Sequence, residues 1–330
     1  MEVSVAGVAK TEWIWMDGEF VRWEDATVHV LTHTLHYGYG IFEGIRAYQR
    51  SDGGTSVFRL DDHLARLVDS AHIMQLEMPY SRDEIRAATL EMVGRNKLSS
   101  CYIRHLVYIG QGTMGIYPGD DPVVKVAITS WPWGAYLGEE GLAHGVRCKI
   151  SSFSRPTPTA TMTKAKAVGN YVNSILAKRE ALSLGFDEAL LMDIHGNVAE
   201  GSGENLFMVR NGVVITPPLN SVLEGVTRRT IMELAEMKGH QVVERTFTRD
   251  EVYIADELFM TGTAAEVTPI REVDHRLIAG GEPGPITRDL QATFFAVVAG
   301  EVPEKRHWLV DVPTPTSESV PTAVREPASA

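Results

Sequence analysis

The sequence predicts a mixed α+β protein with two domains. The chain has 330 residues, which exceeds the usual length of a single domain. Segments with the period-two pattern of strands alternate with segments that carry the apolar stripe of amphipathic helices. A stretch rich in Trp, Pro and Gly, residues 130–138, interrupts this alternation. We therefore expect a small N-terminal α/β domain over residues 1–131, a connecting loop over 132–143 and a larger domain over 144–310.

The chain begins with strand patterns. Two short apolar runs flank Asp17-Gly18, which predicts a hairpin over residues 13–22. Residues 28–31 have the pattern of a further strand. After a strand that ends near residue 58, Asp61 is in a position to cap an amphipathic helix.

A second helix and two strands complete the first half. Ser81 and Glu84 have the spacing of a capping box and mark the start of this helix. Residues 101–109 alternate in character and predict a half-buried strand, and residues 123–129 predict a buried one. Two helices therefore lie within a group of strands in the first half.

The second half shows the same alternation. Residues 146–153 predict a strand, and a helical run follows until Gly185. The apolar residues that recur at helical spacing in this run are Val172, Ile175, Leu176 and Leu182. Further hairpin turns and helix starts are indicated at residues 195–197, 211–212, 225–227 and 285. Residues 311–330 are rich in Pro, Ser, Thr and Glu and predict a disordered tail.

Charge and hydropathy exclude several classes of partner. The net charge of −12 argues against a nucleic-acid-binding surface. The longest apolar runs, such as residues 294–299, are too short to cross a bilayer. The first residues lack the pattern of a signal peptide, so we expect a cytoplasmic protein that binds neither nucleic acid nor membrane.

Cysteine and histidine spacing indicates no metal or redox centre. Cys101 and Cys148 lie far apart in sequence and outside any C-x-x-C pair, which is typical of reduced structural residues. His29, His33 and His36 lack Cys, Asp or Glu partners at a familiar ligand spacing. We expect no metal.

Lys166 is the residue that most strongly suggests catalysis. It lies between a loop rich in Pro and Thr and the start of a helix, where free backbone N–H groups favour anions. An aldehyde cofactor requires a lysine, and its pyridinium nitrogen requires an anionic partner, for which Glu200 is available. Arg59 and the small-residue turns 225–227 and 262–264 could bind a phosphate. Each of these signals is also compatible with ordinary surface residues.

The strand over residues 101–109 carries a second candidate. Its period of two places Tyr102 and Arg104 on one face. A phenol and a guanidinium side by side can receive a carboxylate. The alternative is a surface arginine beside a half-buried tyrosine.

A set of motifs lies along the chain from about residue 13 to about residue 301. They are His36-Tyr37-Gly38, Phe42-Glu43-Gly44-Ile45-Arg46, Tyr102-Ile103-Arg104, residues 132–137, Lys166 to Tyr171, Glu200 to Phe207 and Gly262 to Pro269. In order and spacing these motifs closely resemble the bacterial branched-chain amino acid aminotransferases, which are pyridoxal-phosphate enzymes of fold type IV, also called class IV aminotransferases. The resemblance implies a larger domain with a β-barrel-like core and flanking helices.

The resemblance also implies how the cofactor, pyridoxal 5'-phosphate, is held. Lys166 would be the catalytic residue and carry the covalent link, Glu200 would bind the pyridine nitrogen and Tyr171 the phenolic oxygen. The remaining cofactor contacts that it implies are Arg59, Val226, Thr227 and Thr263 at the phosphate, Leu223 against the ring, and Gly225 and Gly262 beside them.

Substrate contacts are implied in the same way. Tyr102 and the backbone N–H groups of Thr263 and Ala264 would surround the α-carboxylate, and Arg104 would accept the distal carboxylate of glutamate. The residues that would form the side-chain pocket are Tyr37, Phe42, Gly44, Trp133 and Tyr136. The implied reaction is transamination between leucine, isoleucine or valine and 2-oxoglutarate, in branched-chain amino acid biosynthesis or degradation.

Three departures and two alternatives accompany this interpretation. Val168, the turn Leu223-Glu224-Gly225 and Tyr39-Gly40 differ from some relatives, and the last lies beside the expected pocket. One alternative is another fold type IV enzyme, such as a D-amino acid or (R)-amine aminotransferase or aminodeoxychorismate lyase. The other is a metabolite-binding or scaffold protein without activity. The relatives imply a homodimer at least, and some form hexamers.

Overall fold

The structure is a computed structural model that describes residues 8–112 and 114–313. Most of the expected C-terminal tail, residues 314–330, lies outside the described residues. Within the described ranges, no helix combines the length and the apolar character that spanning a membrane requires. The folded part is built on two sheets.

The first sheet has seven strands and belongs mainly to the N-terminal part of the chain. Its strands are β1 (Trp13–Met16), β2 (Glu19–Arg22), β3 (Gly40–Gln49), β4 (Thr55–Phe58), β5 (Cys101–Ile109), β6 (Val124–Trp131) and β16 (Leu309–Asp311). They are arranged in the order β16-β4-β3-β5-β6-β1-β2. The hairpin expected around Asp17-Gly18 is confirmed as β1 and β2, whereas β16 reaches this sheet from the far end of the chain.

Helices α2 (Leu60–Ile73) and α3 (Arg82–Arg95) cover one face of the first sheet. The capping box at Ser81 is confirmed, because the Ser81 side chain accepts from the Glu84 N–H and the Glu84 carboxylate accepts from the Ser81 N–H. The prediction for Asp61 is wrong. The residue before α2 is Arg59, which adopts the left-handed conformation, and Asp61 lies in the first turn of the helix.

Residues 28–31 do not form the strand that their sequence suggested. Val28 and Val30 are 47% and 71% exposed, and these residues of the described chain have no strand beside them to pair with. A short helix, α1 (His33–Tyr37), follows at once. An alternating apolar pattern forms a strand only where a neighbouring strand supplies hydrogen bonds.

The second sheet closes into a barrel. Its ring follows the order β10-β13-β14-β7-β8-β9 and returns from β9 to β10 through the pair Glu200 and Asn205. These strands are β7 (Val146–Ser154), β8 (Glu188–Met192), β9 (Val198–Gly201), β10 (Asn205–Arg210), β13 (Glu257–Gly262) and β14 (Glu266–Val273). Strands β11 (Val213–Thr216) and β12 (Val242–Glu244) extend the sheet beyond β10, and β15 (Arg276–Leu277) pairs with β14.

Five helices flank this barrel. They are α4 (Gly138–His144), α5 (Tyr171–Ser183), α6 (Val226–Met237), α7 (Arg249–Tyr253) and α8 (Pro285–Val298). A shared apolar core joins the two sheets. Phe58 of β4 and Trp308, directly before β16, adjoin the first sheet. They pack with residues of the barrel strands and of α8, namely Phe207, Phe259 and Phe294. The rings of Phe207 and Phe259 are stacked with centroids 5.0 Å apart.

Helix α5 presents its two faces in an unusual way. Its small residues, Ser174, Ala177 and Ala181, are buried against the barrel. The larger apolar residues of the helix are exposed, at 61% for Val172, 56% for Ile175, 44% for Leu176 and 45% for Leu182. The sequence pattern correctly predicts a helix here, but the apolar stripe faces away from this chain's own core.

Candidate active site

A cavity of about 580 Å³ lies between the two sheets. Strands β3 and β5, the loop after β6, the start of α5, the start of α6 and the β13–β14 turn all contribute to its wall. The residues singled out from the sequence that line it are Phe42, Gly44, Tyr102, Arg104, Trp133, Tyr136, Lys166, Tyr171, Leu223, Gly225, Val226, Thr227, Gly262, Thr263 and Ala264. Residues that are far apart in sequence are therefore brought together in one volume.

Lys166 is held between the two halves of the chain. The Phe42 N–H donates to the Lys166 carbonyl at 3.0 Å, and the Lys166 N–H donates to Ser70 Oγ at 3.1 Å. The Lys166 amine donates to the Tyr171 hydroxyl at 2.7 Å. Burial lowers the pKa of Lys166 to about 8, and the nearby Arg66 guanidinium acts in the same direction. An amine with a pKa this close to neutrality can serve as a nucleophile or as a general base.

Arg66, on α2, reaches the same cavity and is held there by a buried carboxylate. Its Nε and Nη2 donate to the two oxygens of Glu43 at 2.7 and 2.9 Å, and its Nη1 donates to the Glu224 carbonyl at 2.7 Å. The His63 Nδ1 lies 2.8 Å from Glu43 Oε2. Burial alone would raise the pKa of Glu43, but the charges of Arg66 and the bond to His63 outweigh it, and this pKa is lowered. The ionised carboxylate therefore fixes the arginine in the cavity wall.

The structure places Arg59 away from this cavity. Its side chain is 6% exposed, its Nη2 donates to Glu233 at 2.6 Å, and its guanidinium lies 4.1 Å from the centre of the Trp308 ring. Arg66, seven residues later, lines the cavity instead. The assignment of a phosphate contact to Arg59 is therefore corrected, because this guanidinium is engaged by Glu233 and Trp308 outside the cavity.

Glu200 lies in a smaller adjoining cavity that Lys166 and Tyr171 also line. Its Oε1 lies 2.8 Å from the Arg155 Nε, so the two groups form an ion pair. The Nε–H does not point at this oxygen and makes no hydrogen bond among the described residues. Glu200 Oε2 accepts from the Leu223 N–H and the Asn205 amide, both at 3.3 Å. Burial raises the pKa of Glu200, and the Arg155 charge opposes this rise. Arg155 therefore favours the anionic form of a carboxylate that burial would otherwise neutralise.

The start of α6 forms a cradle that could hold an anion. Gly225 is the residue before the helix, and the first N–H groups, including those of Val226 and Thr227, border the cavity without a side-chain cap from the described residues. A Cβ at Gly225 would lie 1.9 Å from Asn205 Oδ1, so no larger residue fits. Thr261 is also among the residues that line the cavity, and its buried hydroxyl has no hydrogen-bond partner within the part of the chain that the structure describes. These groups suit a bound phosphate.

The opposite end of the cavity is lined by aromatic residues. A Cβ at Gly44 would lie 1.8 Å from the Tyr102 hydroxyl, so glycine at this position is what lets Tyr102 point into the cavity. The Trp133 ring packs edge-on against Tyr102 at 4.6 Å and against Tyr136 at 5.6 Å. Arg104 lies over the Phe42 ring, 4.6 Å from its centre. One positive charge therefore stands at the edge of a largely apolar pocket.

Tyr37 is the one substrate-pocket residue of the sequence analysis that does not line this cavity. It ends α1, is 45% exposed and packs against the His33 ring at 4.6 Å. Tyr37 lies on the protein surface beside the start of α5. The next residue, Gly38, accepts a backbone hydrogen bond of 3.0 Å from Gly169, which lies just before that helix.

Several residues of the site were not found from the sequence. Arg66, Glu204 and Asn205 line the cavity, and Glu43, His63 and Arg155 stand behind it. A signal existed for part of this set, because residues 63, 66 and 70 are polar at helical spacing beside the apolar stripe of α2. Burial by protein and the neighbouring Glu188 carboxylate raise the pKa of Glu204 to about 8, an effect that no sequence pattern reveals.

A family model described as amino-transferase class IV matches residues 40–273, more than half of the chain. The chain belongs to the class IV aminotransferase family. The match covers β3, the Lys166 segment, the barrel and the start of α6, so it includes every wall of the cavity.

Individual members of this class IV aminotransferase family are similar over nearly the whole chain. The branched-chain-amino-acid aminotransferase of Pseudomonas aeruginosa is 54% identical over 295 residues, which is 89% of this chain and 95% of that protein. A crystal structure of the Escherichia coli branched-chain amino acid aminotransferase has a TM-score of 0.90 at 44% identity and covers 92% of this chain and 100% of its own. The T.th. branched-chain amino acid aminotransferase with pyridoxamine 5'-phosphate has a TM-score of 0.89 at 46% identity and covers 92% and 99%. The predicted family and the predicted mixed α and β fold of type IV are thus confirmed.

The charges around Lys166 lead to a prediction for the cofactor-free protein. Acetylation of Lys166 across a pH series, measured by peptide mass spectrometry, should show a midpoint near pH 8. Arg66→Met should raise this midpoint because a cation beside the amine is lost, and Glu43→Gln should lower it because an anion is lost.

The exposed Lys97 provides the internal reference for reagent reactivity in each sample. Midpoints that stay at the wild-type value in both variants would show that these two charges do not act on Lys166.

Proposed function

We propose that this chain is a pyridoxal 5'-phosphate-dependent branched-chain amino acid aminotransferase. It would transfer the amino group of leucine, isoleucine or valine to 2-oxoglutarate and release the branched-chain 2-oxo acid and L-glutamate. The observation that carries the proposal is one cavity with a low-pKa lysine, an anion cradle at the start of α6, and an apolar pocket with Arg104 at its edge. Membership of the class IV aminotransferases and 54% identity to a branched-chain enzyme support it.

The residues present suit the cofactor. Lys166 would hold it covalently, Glu200 would bind its ring nitrogen, Tyr171 its phenolic oxygen, and Leu223 the ring face. Its phosphate would lie at the start of α6 and contact Arg66, Val226, Thr227 and Thr263. Two observations support the phosphate site: within the described residues the start of α6 has no side-chain cap, and the buried hydroxyl of Thr261 on the neighbouring strand β13 has no hydrogen-bond partner. When bound, the cofactor supplies an electron sink that stabilises negative charge on the substrate Cα.

The remaining chemistry is a proton transfer by Lys166. In its neutral form the Nζ atom can accept the proton of the amino acid's Cα and pass it on within the same half-reaction, and in its protonated form it can deliver a proton to the Cα of the 2-oxo acid in the reverse half-reaction. A pKa of about 8 makes this form accessible near neutral pH, and the Tyr171 hydroxyl at 2.7 Å orients the amine. Glu200, which Arg155 favours as an anion, would keep the cofactor ring positively charged.

One pocket can accept two kinds of substrate. Phe42, Trp133 and Tyr136 offer an apolar wall to an aliphatic side chain, and Arg104 offers a charge to the distal carboxylate of glutamate. Tyr102 and the N–H groups of Thr263 and Ala264 would bind the α-carboxylate. D-amino acid and (R)-amine aminotransferases and aminodeoxychorismate lyase share the lysine but differ in this pocket, and the similar proteins named above favour the branched-chain reaction.

We also infer that the protein works as a homodimer at least, in the cytoplasm. A soluble monomer rarely exposes a large contiguous apolar patch. Here exposed apolar side chains lie on α5 and on the neighbouring segment 28–37, namely Val28, Val30, Leu31, Leu35, Tyr37, Val172, Ile175, Leu176 and Leu182. A second copy of the chain would cover them and shield the cavity mouth, which Val172 and Ile175 border.

Activity tests the proposed reaction directly. The purified protein with added cofactor should transaminate L-leucine with 2-oxoglutarate and should be inactive with D-alanine and with (R)-1-phenylethylamine. Lys166→Ala should abolish the leucine activity, since both the covalent link and the proton transfer are lost.

Borohydride reduction followed by peptide mapping should place the cofactor on Lys166. Attachment to Lys164, which instead donates to the Val222 carbonyl at 3.0 Å, would contradict the assignment.

A matched pair of arginine variants tests the phosphate site. Arg66→Met should weaken binding of pyridoxal 5'-phosphate about 10- to 100-fold, because charge-assisted hydrogen bonds contribute roughly 1.5–3 kcal/mol. Arg59→Met should reduce thermal stability through the lost contacts to Glu233 and Trp308 and leave cofactor affinity near the wild-type value. Cofactor titration followed by absorbance measures the affinity of both variants, and thermal unfolding measures their stability. Weaker cofactor binding in Arg59→Met than in Arg66→Met would refute the corrected assignment.

The oligomer prediction is tested by analytical ultracentrifugation. The wild-type protein should sediment as a dimer or larger, and Leu176→Lys should shift it towards monomer because a charge would be buried at the contact. The matched control is Leu277→Lys, at an exposed leucine on the short strand β15. A monomeric wild-type protein would overturn the proposal.

A further inference from the structure

Arg46 joins three parts of the chain but has no role in the reaction described above. It lies on β3, four residues after Phe42, and its side chain is about 10% exposed. Its Nη2 donates to the backbone carbonyls of Trp133 at 2.7 Å and Gly134 at 3.0 Å. Its Nη1 lies 3.1 Å from Glu266 Oε1 and 3.5 Å from the Ala264 carbonyl.

The first two contacts fix the connecting loop after β6. Trp133 lines the cavity, and its ring packs against Tyr102 and Tyr136, so its backbone position determines where the aromatic wall stands. Gly134 is exposed, and within the described residues its carbonyl accepts a side-chain hydrogen bond from Arg46. The Arg46 guanidinium therefore ties the backbone of this loop to β3.

The other two contacts fix the turn between β13 and β14. Gly262 pairs with Glu266, and the residues between them include Thr263 and Ala264 at the cavity. Glu266 has a φ of +55°, a left-handed conformation that a non-glycine residue adopts at a cost of the order of 1 kcal/mol. Its buried carboxylate is engaged by Arg46 and accepts from the Tyr48 hydroxyl at 3.0 Å. These partners hold the strained turn in place.

We propose that Arg46 is a positioning residue that couples the side-chain wall of the substrate pocket to the turn that binds the α-carboxylate. It does not line the cavity, and it acts through Trp133 on one side and through Glu266 on the other. A substrate whose side chain fits the wall is thereby presented with its carboxylate in register with the N–H groups of Thr263 and Ala264. This inference rests on the proposed function, which identifies the aromatic wall as the side-chain pocket and the β13–β14 turn as the carboxylate site.

The chemistry of the contacts requires arginine. A planar guanidinium presents its N–H groups in a fixed fork and can serve two carbonyls and a carboxylate together. A lysine ammonium at this position could neutralise Glu266 but would not span the loop and the turn at once. Burial raises the pKa of Glu266, and the Arg46 charge opposes this rise, so the arginine also keeps the carboxylate available as an acceptor.

Steady-state kinetics on the holoenzyme tests the coupling. In Arg46→Met and Arg46→Lys, the KM values for L-leucine and L-glutamate should both rise roughly tenfold, while kcat stays within about threefold, since Arg46 contacts no reacting atom. The matched control is Arg50→Met. Arg50, four residues later, is similarly enclosed and forms ion pairs with Asp52 and Asp311 far from the cavity, so this variant should lose stability without a change in KM.

Hydrogen exchange on the same proteins gives a readout that does not depend on the proposed reaction. Amides over residues 133–138 and 263–265 should exchange faster in both Arg46 variants than in the wild type and in Arg50→Met. Tyr48→Phe removes one hydrogen bond to Glu266 but keeps the Arg46 contacts, so it should accelerate exchange over 263–265 with little effect on 133–138. If neither Arg46 variant folds, Glu266→Gln decides the question: loss of the ion pair to Arg46 should accelerate exchange in both segments, and an effect confined to 263–265 would overturn the coupling.

Unchanged KM values in the Arg46 variants, equal KM changes in Arg50→Met, or faster exchange confined to one of the two segments in Arg46→Met would overturn the coupling. If the wild type lacks leucine transamination, the proposed function fails on its own. The exchange data then still report whether Arg46 ties the two segments together.

Discussion

The site depends on how the peptide of Lys166 is clamped. The lysine lies between β7 and α5, in the part of the chain that forms the barrel, but its carbonyl accepts from the Phe42 N–H and its N–H donates to Ser70 Oγ, both in the first 131 residues. A bridge between Ile41 and Ala167 and a hydrogen bond from the Gly169 N–H to the Gly38 carbonyl continue the contact. The backbone that carries the Lys166 amine is thus held against β3 of the first sheet.

Charge burial is the second constraint on the site. Glu43 is completely buried, and an unpaired carboxylate there would cost several kcal/mol. The bond from His63 and the two-pronged contact with Arg66 compensate for this cost and hold the arginine at the cavity. Glu200 and Arg155 form a second buried ion pair, in the smaller adjoining cavity. Buried ion pairs of this kind contribute little to net stability, but they place charge where a cofactor with an anionic end and a cationic ring would need it.

The two arginines before and within α2 show why residue patterns alone did not complete the site. Arg59 precedes α2 in the left-handed conformation, and Arg66 lies within the helix seven residues later. Nothing in their local sequence distinguishes a phosphate ligand from a structural residue. The position of α6 decides, because Glu233 on that helix engages Arg59 while Arg66 remains at the cavity.

The exposed stripe of α5 and the segment 28–31 illustrate the same limit for the fold. Apolar spacing identified the helix correctly, yet small residues face the barrel because α5 packs closely on β7 and β8. Apolar spacing also suggested a strand over 28–31, which failed for lack of a pairing partner in the described chain. Local patterns determine whether a segment suits a helix or a strand, whereas the neighbouring elements determine which face is buried.

The sequence by itself predicted the mixed fold and the family, which the comparisons confirm, and it singled out Lys166, Glu200 and most of the residues that line the cavity. Those features are carried by local motifs, capping residues and glycines whose spacing is written along the chain. Only the tertiary structure decided which arginine reaches the cavity, which charges lower the pKa of Lys166 and how Arg46 joins two walls. These depend on distances between residues remote in sequence, and electrostatic and hydrogen-bond energies are determined by such distances and by burial, which no single segment encodes.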